Sequence, residues 1–260
     1  MTARLATVLD VLARLRQAGC VFAEDEARLL IEAASSPAEL ETLLAQRVAG
    51  QPLEYLLGWA EFGGLRIAVE QGVFVPRRRT ELLLAQALAM LEPADVVLEL
   101  CCGIGAVGAA LLAARPDIEL YAVDIEPVAV RCARRNLGDR ARVYEGDLYA
   151  ALPQALRGRV GVLIANAPYV PSEAIALMPP ESRLHEPRVA LDGGADGLDV
   201  QRRIAEEAPD WLAPGGRLLI ETSRAQASRT AELAERAGLI ATLVSEENLD
   251  ATAVVARAPR

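Results

Sequence analysis

The sequence predicts an α/β fold: a mostly parallel sheet covered by helices on both faces and closed by an antiparallel last strand. Three observations predict it. From about residue 93 onward, short apolar runs alternate with helical stretches, the pattern of a sheet buried on both sides. The first run leads directly into a glycine-rich turn, "CCGIGAVG", as the opening strand of a nucleoside-binding sheet does. The last two runs are joined only by Glu247 to Asp250, too short for a parallel crossover, so the final strand must run antiparallel.

The elements follow in chain order. From residue 3 to about 58 the apolar positions recur at three and four, giving short helices in "LATVLDVLARLRQAG", "AEDEARLLIEAAS" and "SPAELETLLAQRVAG". Ser36 is a helix N-cap candidate, with Pro37 at the first helical position, Glu39 three residues on and Gly50 past the last turn. In "EFGGLRIAVEQGVFVP" the period changes to alternation. It suggests two short strands turning at Glu70-Gln71-Gly72. Strands are then expected at 96–101, 118–124, 141–145, 160–165 and 216–221, and two late ones near 239–246 and 251–257. This divides the chain into a helical domain over 1–60, a hairpin linker over 61–80 and a sheet domain over 81–260.

Composition excludes several classes. No apolar run approaches the roughly 18 residues that span a bilayer, and Arg4, Asp10, Arg14 and Arg16 make the N-terminus an amphipathic helix rather than a signal peptide. The four cysteines, Cys20, Cys101, Cys102 and Cys132, show no metal-ligand spacing and are expected as reduced thiols in a cytoplasm. A net charge of −9 gives a nucleic-acid partner no electrostatic help. The one basic cluster, "PRRRTE" at Pro76 to Glu81, is too small to change that.

Gly103-Ile104-Gly105-Ala106-Val107-Gly108 matches G-x-G-x-x-G, and Asp124 follows at the end of the next strand. Taken alone, that pattern suits a dinucleotide, with a carboxylate for ribose hydroxyls; Asp124 could instead simply cap the helix beginning near Pro127. Glu99 argues against a dinucleotide. It puts a carboxylate at the strand end before the glycines, where a pyrophosphate would be repelled and a cation welcome. With Asp147 in "EGDLY", three acids stand at three successive strand ends. S-adenosylmethionine, a nucleoside bearing a sulfonium and an ammonium but no phosphate, suits them, with Asp147 placed for an adenine edge.

"NAPYVP", Asn166 to Pro171, follows the apolar run "VGVLIA". Asn and Pro are common turn formers, and an ordinary loop is one reading. The ordered series "ELCCGIG", "AVDIEPVAVRCARRN", "GDLY", "NAPYVP" and "HEPRVALDGGADGL" resembles the HemK/PrmC-type protein-(glutamine-N5) methyltransferases. "RVAGQPLEYLLGWAEFGGLRIAVEQGVFVPRRRTE" resembles that family's linker, and the resemblance covers nearly the whole chain, weakest over the first 45 residues.

The resemblance implies a class I S-adenosylmethionine-dependent methyltransferase that methylates a glutamine amide, in the family the Gly-Gly-Gln loop of peptide-chain release factors. It implies cofactor contacts at Glu99, Cys101, Cys102, Gly103, Ile104, Gly105, Asp124, Ile125, Asp147, Leu148 and Asn166. It also implies an acceptor site at Asn166, Ala167, Pro168 and Tyr169, with Asn166 and Tyr169 as the catalytic pair, and a substrate-docking role for the N-terminal helices. Truncation to a start near residue 70 should then spare cofactor binding. The lone histidine, His185, is read as structural.

Departures from the family pattern are specific. Ala167 replaces the first proline of Asn-Pro-Pro-Tyr, Glu99 an aspartate, Cys101 a glycine, and "PRRRTE" a segment usually read P-R-P-E-T-E. They mark a divergent branch. Another protein, a small-molecule amine or amide, or a nucleic-acid base stays open as acceptor, as does a non-catalytic module.

Overall fold

The N-terminal helices fold around a core of their own. In a computed structural model describing residues 2–260, they are α1 (Thr2–Gln17), α2 (Ala23–Ala33), α3 (Pro37–Val48) and α4 (Leu53–Leu57). Val11, Leu15, Ala23, Ala27, Leu30 and Leu44 pack together, separate from the rest of the molecule's core. The α3 N-terminus forms as its sequence dictates: Ser36 Oγ accepts the Glu39 N–H at 3.2 Å, and Pro37 sits where no N–H is needed.

The hairpin differs from the sequence expectation. Its strands are β1 (Trp59–Phe62) and β2 (Leu65–Ala68), and the turn is Gly63-Gly64, not Glu70-Gln71-Gly72. A two-residue hairpin turn of this hand needs positive φ at both central residues, and the two glycines supply +55° and +76°. The later "VFV" run does not pair; Val73 and Val75 are buried instead. Ala60, Phe62, Ile67 and Val69 join them in the core under the main sheet. A chain started near residue 70 would therefore lose Ala60, Phe62, Ile67 and Val69 from that core.

The main sheet has the order β5-β4-β3-β6-β7-β9-β8. After α5 (Glu81–Met90) come β3 (Val96–Leu100), α6 (Ala106–Ala114), β4 (Glu119–Asp124), α7 (Pro127–Leu137), β5 (Ala141–Glu145) and β6 (Val160–Ala165). Then come α8 (Pro180–His185), α9 (Asp199–Trp211), β7 (Leu212–Thr222), α10 (Ala227–Arg236), β8 (Ile240–Glu246) and β9 (Ala251–Arg257). Strands β3 to β7 pair in parallel, while β9 runs antiparallel between β7 and β8, as the short final connection requires. Alternate residues face opposite cores: Val97, Leu120 and Val162 on one side, Leu98, Tyr121 and Leu163 on the other. The chain winds outward from β3 to β5, then returns to β6 on the other side of β3. The crevice beyond β3 and β6 is thus the topological switch point, where such sheets bind ligands. No helix among the described residues is long and apolar enough to cross a membrane.

Candidate active site

A cavity of about 470 Å³ opens at that crevice. At one end stands Glu99, on β3 and only 4% exposed. Its Oε2 accepts the Gly108 N–H at 2.9 Å, in the first turn of α6, where unpaired backbone donors favour a carboxylate. A Cβ at residue 108 would lie 2.7 Å from that oxygen, so the third glycine of the motif makes room for Glu99. Burial, with Asp124 close by, pushes the Glu99 carboxyl up to about 8. At neutral pH burial therefore favours its protonated form. The open negative charge expected from the sequence is thus corrected: burial favours the neutral acid until a cation faces it.

Asp124 organises the glycine turn. Its Oδ2 accepts from Gly103 N at 2.7 Å and its Oδ1 from Glu126 N at 2.9 Å, while burial raises its pKa. It does not cap α7, whose N-cap is Glu126 with no side-chain capping bond; it fixes the turn that leads into that helix and also lines the cavity. Cys101 and Leu148 both adopt left-handed backbone, at φ +53° and +48°, strain that L side chains rarely bear. Cys102, Gly103, Ile104, Ile125 and Asp147 complete this end, and the Asp147 carboxylate is paired with Arg203 at 2.8 Å. Asn136, not picked out from the sequence, donates to the Ile104 carbonyl at 2.9 Å. It also exchanges bonds with Ala68 N and O, tying the turn to the hairpin.

The other end is the loop after β6. Asn166 donates its amide to Thr80 Oγ1 at 3.1 Å, which leaves the side-chain oxygen to accept. Ala167 is buried and Pro168 lines the wall. The Tyr169 hydroxyl donates to Glu221 Oε1 at 3.2 Å, and burial pushes its pKa up to about 12, so it stays neutral. The loop is held from behind: Gln226 donates to the Tyr169 carbonyl at 3.0 Å, and a Cβ at Gly197 would meet that same carbonyl oxygen at 2.4 Å. The glycines of "LDGGADGL" therefore allow a second loop to back the first. His185 enters through its backbone carbonyl, which accepts from Tyr55 Oη. Glu221 and Gln226 carry no local signal in the sequence, and although "PRRRTE" marks Arg79 and Thr80 as a departure, nothing local pairs them with this loop.

Residues 64–181 match the family model described as the methyltransferase small domain. The chain is 37% identical over 199 residues to the release factor glutamine methyltransferase of Geobacter sulfurreducens, covering 75% of this chain and 69% of that protein. It is 41% identical over 207 residues to that of Cereibacter sphaeroides, covering 78% and 72%. Among solved structures, a methyltransferase from Pyrococcus furiosus superposes with a TM-score of 0.58 at 16% identity, over 85% of this chain and all of that one, a likeness of fold.

Proposed function

We propose that this chain, which belongs to the release factor glutamine methyltransferase family, methylates the side-chain amide of a glutamine in a protein, with a release factor as the acceptor. The methyl donor is S-adenosylmethionine. The observation that carries the reading is one continuous cavity with acids and a glycine turn at one end and, at the other, the Asn166 amide oxygen, which accepts no hydrogen bond among the described residues.

The residues present fit the cofactor. The volume is in the range of pockets for nucleoside-sized ligands. Glu99 can give up its proton to face a cation, and Asp124 keeps a second lone pair on each oxygen for ribose hydroxyls. Asp147 and Leu148 stand at the adjoining strand end. The bound cofactor supplies an electrophilic methyl group.

An amide nitrogen is a poor nucleophile, because its lone pair is delocalised into the carbonyl. The Asn166 oxygen and the Ala167 carbonyl would accept its two N–H groups, aim the nitrogen and stabilise the positive charge growing on it. Tyr169 would pack against the flat amide. No strong base is needed if the proton leaves after transfer, and His185 offers none. We assign acceptor docking to the helices before residue 60, and a release-factor acceptor would put the reaction in the cytoplasm.

Labelled methyl transfer to a purified release factor, read by peptide mass spectrometry, tests this. One methyl group on the glutamine of the Gly-Gly-Gln peptide is the expected product. Label appearing on DNA or on another protein, with the release factor unmodified, would overturn it.

A further inference from the structure

Glu221 ends β7 only 2% exposed. Its Oε1 accepts both the Tyr169 hydroxyl and Arg79 Nε, each at 3.2 Å, and its Oε2 is buried without a partner. An ionised carboxylate so placed is costly unless a cation faces it. Arg79 is that cation. Its guanidinium carbon also lies 5.9 Å from the Tyr169 ring centroid, within reach of a cation–π contact, and it lines the cavity. The next residue, Thr80, receives the Asn166 amide. A single turn, Arg78–Thr80, therefore touches both side chains of the acceptor loop.

The charges are matched to each other. Arg79 occupies the position where the resembled family pattern P-R-P-E-T-E has an acid. An acid there would stand against Glu221; the arginine makes a neutral pair. That neutrality suits a site where positive charge develops on the acceptor nitrogen, since an unbalanced guanidinium beside it would oppose the reaction.

We propose that Arg79 and Glu221 form a positioning pair that fixes the Tyr169 ring at the acceptor end of the cavity, so that acceptor turnover depends on the pair and cofactor binding does not. The inference deepens the function proposed above and rests on it. Arg79 neutralises Glu221, the ionised Glu221 holds the hydroxyl, and the guanidinium limits ring rotation from the cavity side.

A double-mutant cycle tests it. Arg79→Gln and Tyr169→Phe should each slow methyl transfer to a release factor about tenfold. The double variant should be at most about threefold slower than the worse single, because both act through one contact. Affinity for S-adenosylhomocysteine, measured by calorimetry, should be unchanged in all three. Arg79→Lys should recover most of the rate. Losses that multiply to about a hundredfold, or cofactor affinity falling in step with turnover, would overturn the proposal.

A second measurement needs no acceptor. With 3-fluorotyrosine in place of the chain's five tyrosines, the Tyr169 fluorine line, assigned by its loss in Tyr169→Phe, should shift or broaden in Arg79→Gln and in Glu221→Gln. An unmoved line would also sink the pair. If the wild-type protein methylates no release factor, the function proposed above fails and this second measurement still decides the positioning claim.

Discussion

The two ends of the cavity are built in different ways. The cofactor end comes mainly from one stretch of chain, residues 99 to 148, and two of its three acids are tied to nearby backbone, Glu99 to Gly108 and Asp124 to Gly103 and Glu126, while Asp147 pairs with the Arg203 side chain. The acceptor end is gathered from Arg79, Thr80, Asn166, Tyr169, Gly197, Glu221 and Gln226, and is tied mainly by side chains. The difference teaches where substitution should act. Changes at the first end should alter binding of the cofactor and the shape of a local turn. Changes at the second should alter turnover on the acceptor while the cofactor still binds.

The largest effect should come from Asn166→Ala. Removing one preorganised polar contact at a reacting centre costs about 10²–10³ in rate, and calorimetry with S-adenosylhomocysteine should show near-native affinity. Wild-type turnover in this variant would reduce "NAPY" to a turn and erase the contrast. Asp124→Ala is the counterpart. It should weaken cofactor binding by about 1.5–3 kcal/mol, the scale of hydrogen bonds to a charged group. A variant that binds cofactor normally and turns over slowly would place Asp124 on the wrong side of the comparison.

The pH behaviour of the empty protein sharpens the same contrast. Glu99 is raised from an ordinary 4.5 to about 8, so between those values the folded state holds a proton that the unfolded chain has released. Glu99 therefore makes the empty protein lose stability as pH rises through that window, and Asp124, raised by burial, adds to the loss with the same sign. Thermal unfolding of Glu99→Gln should show a flatter dependence. Binding of S-adenosylmethionine to the wild type near pH 7 should release a proton, visible as a buffer-dependent calorimetric enthalpy. A binding enthalpy that is the same in all buffers would mean that Glu99 does not change its protonation state on binding.

Smaller effects should follow at the two backbone departures. Cys101→Gly relieves left-handed strain, and after the entropy cost of glycine should stabilise the fold by about 0.5–1 kcal/mol, read as a raised Tm. Ala167→Pro restores the family motif. The Ala167 N–H donates no hydrogen bond among the described residues, so turnover should stay within a few-fold of wild type. A large loss would mean that the acceptor loop needs the freedom alanine leaves it.

The sheet and its cofactor end were legible because their signals are local. The strands expected at 141–145 and 160–165 are β5 and β6 to the residue, the one expected near 251–257 is β9, and the short Glu247–Asp250 connection dictated the antiparallel close. Apolar period, glycine spacing and connection length are properties of neighbouring residues, so the sequence alone carried them. The turn at Gly63-Gly64 was local too. The alternating pattern runs on past it to Val75, but only the Gly63-Gly64 pair supplies positive φ at two successive residues. The protonation of Glu99 and the partners of Tyr169 were beyond any local reading. Desolvation depends on what the fold stacks above a carboxyl, and Arg79, Tyr169 and Glu221 are far apart in the chain until β6 and β7 pair and the hairpin segment closes over their ends. The sequence by itself determined which chemical groups the protein owns and along which strands they stand. Only the tertiary structure decided which of those groups meet, and in what charge state.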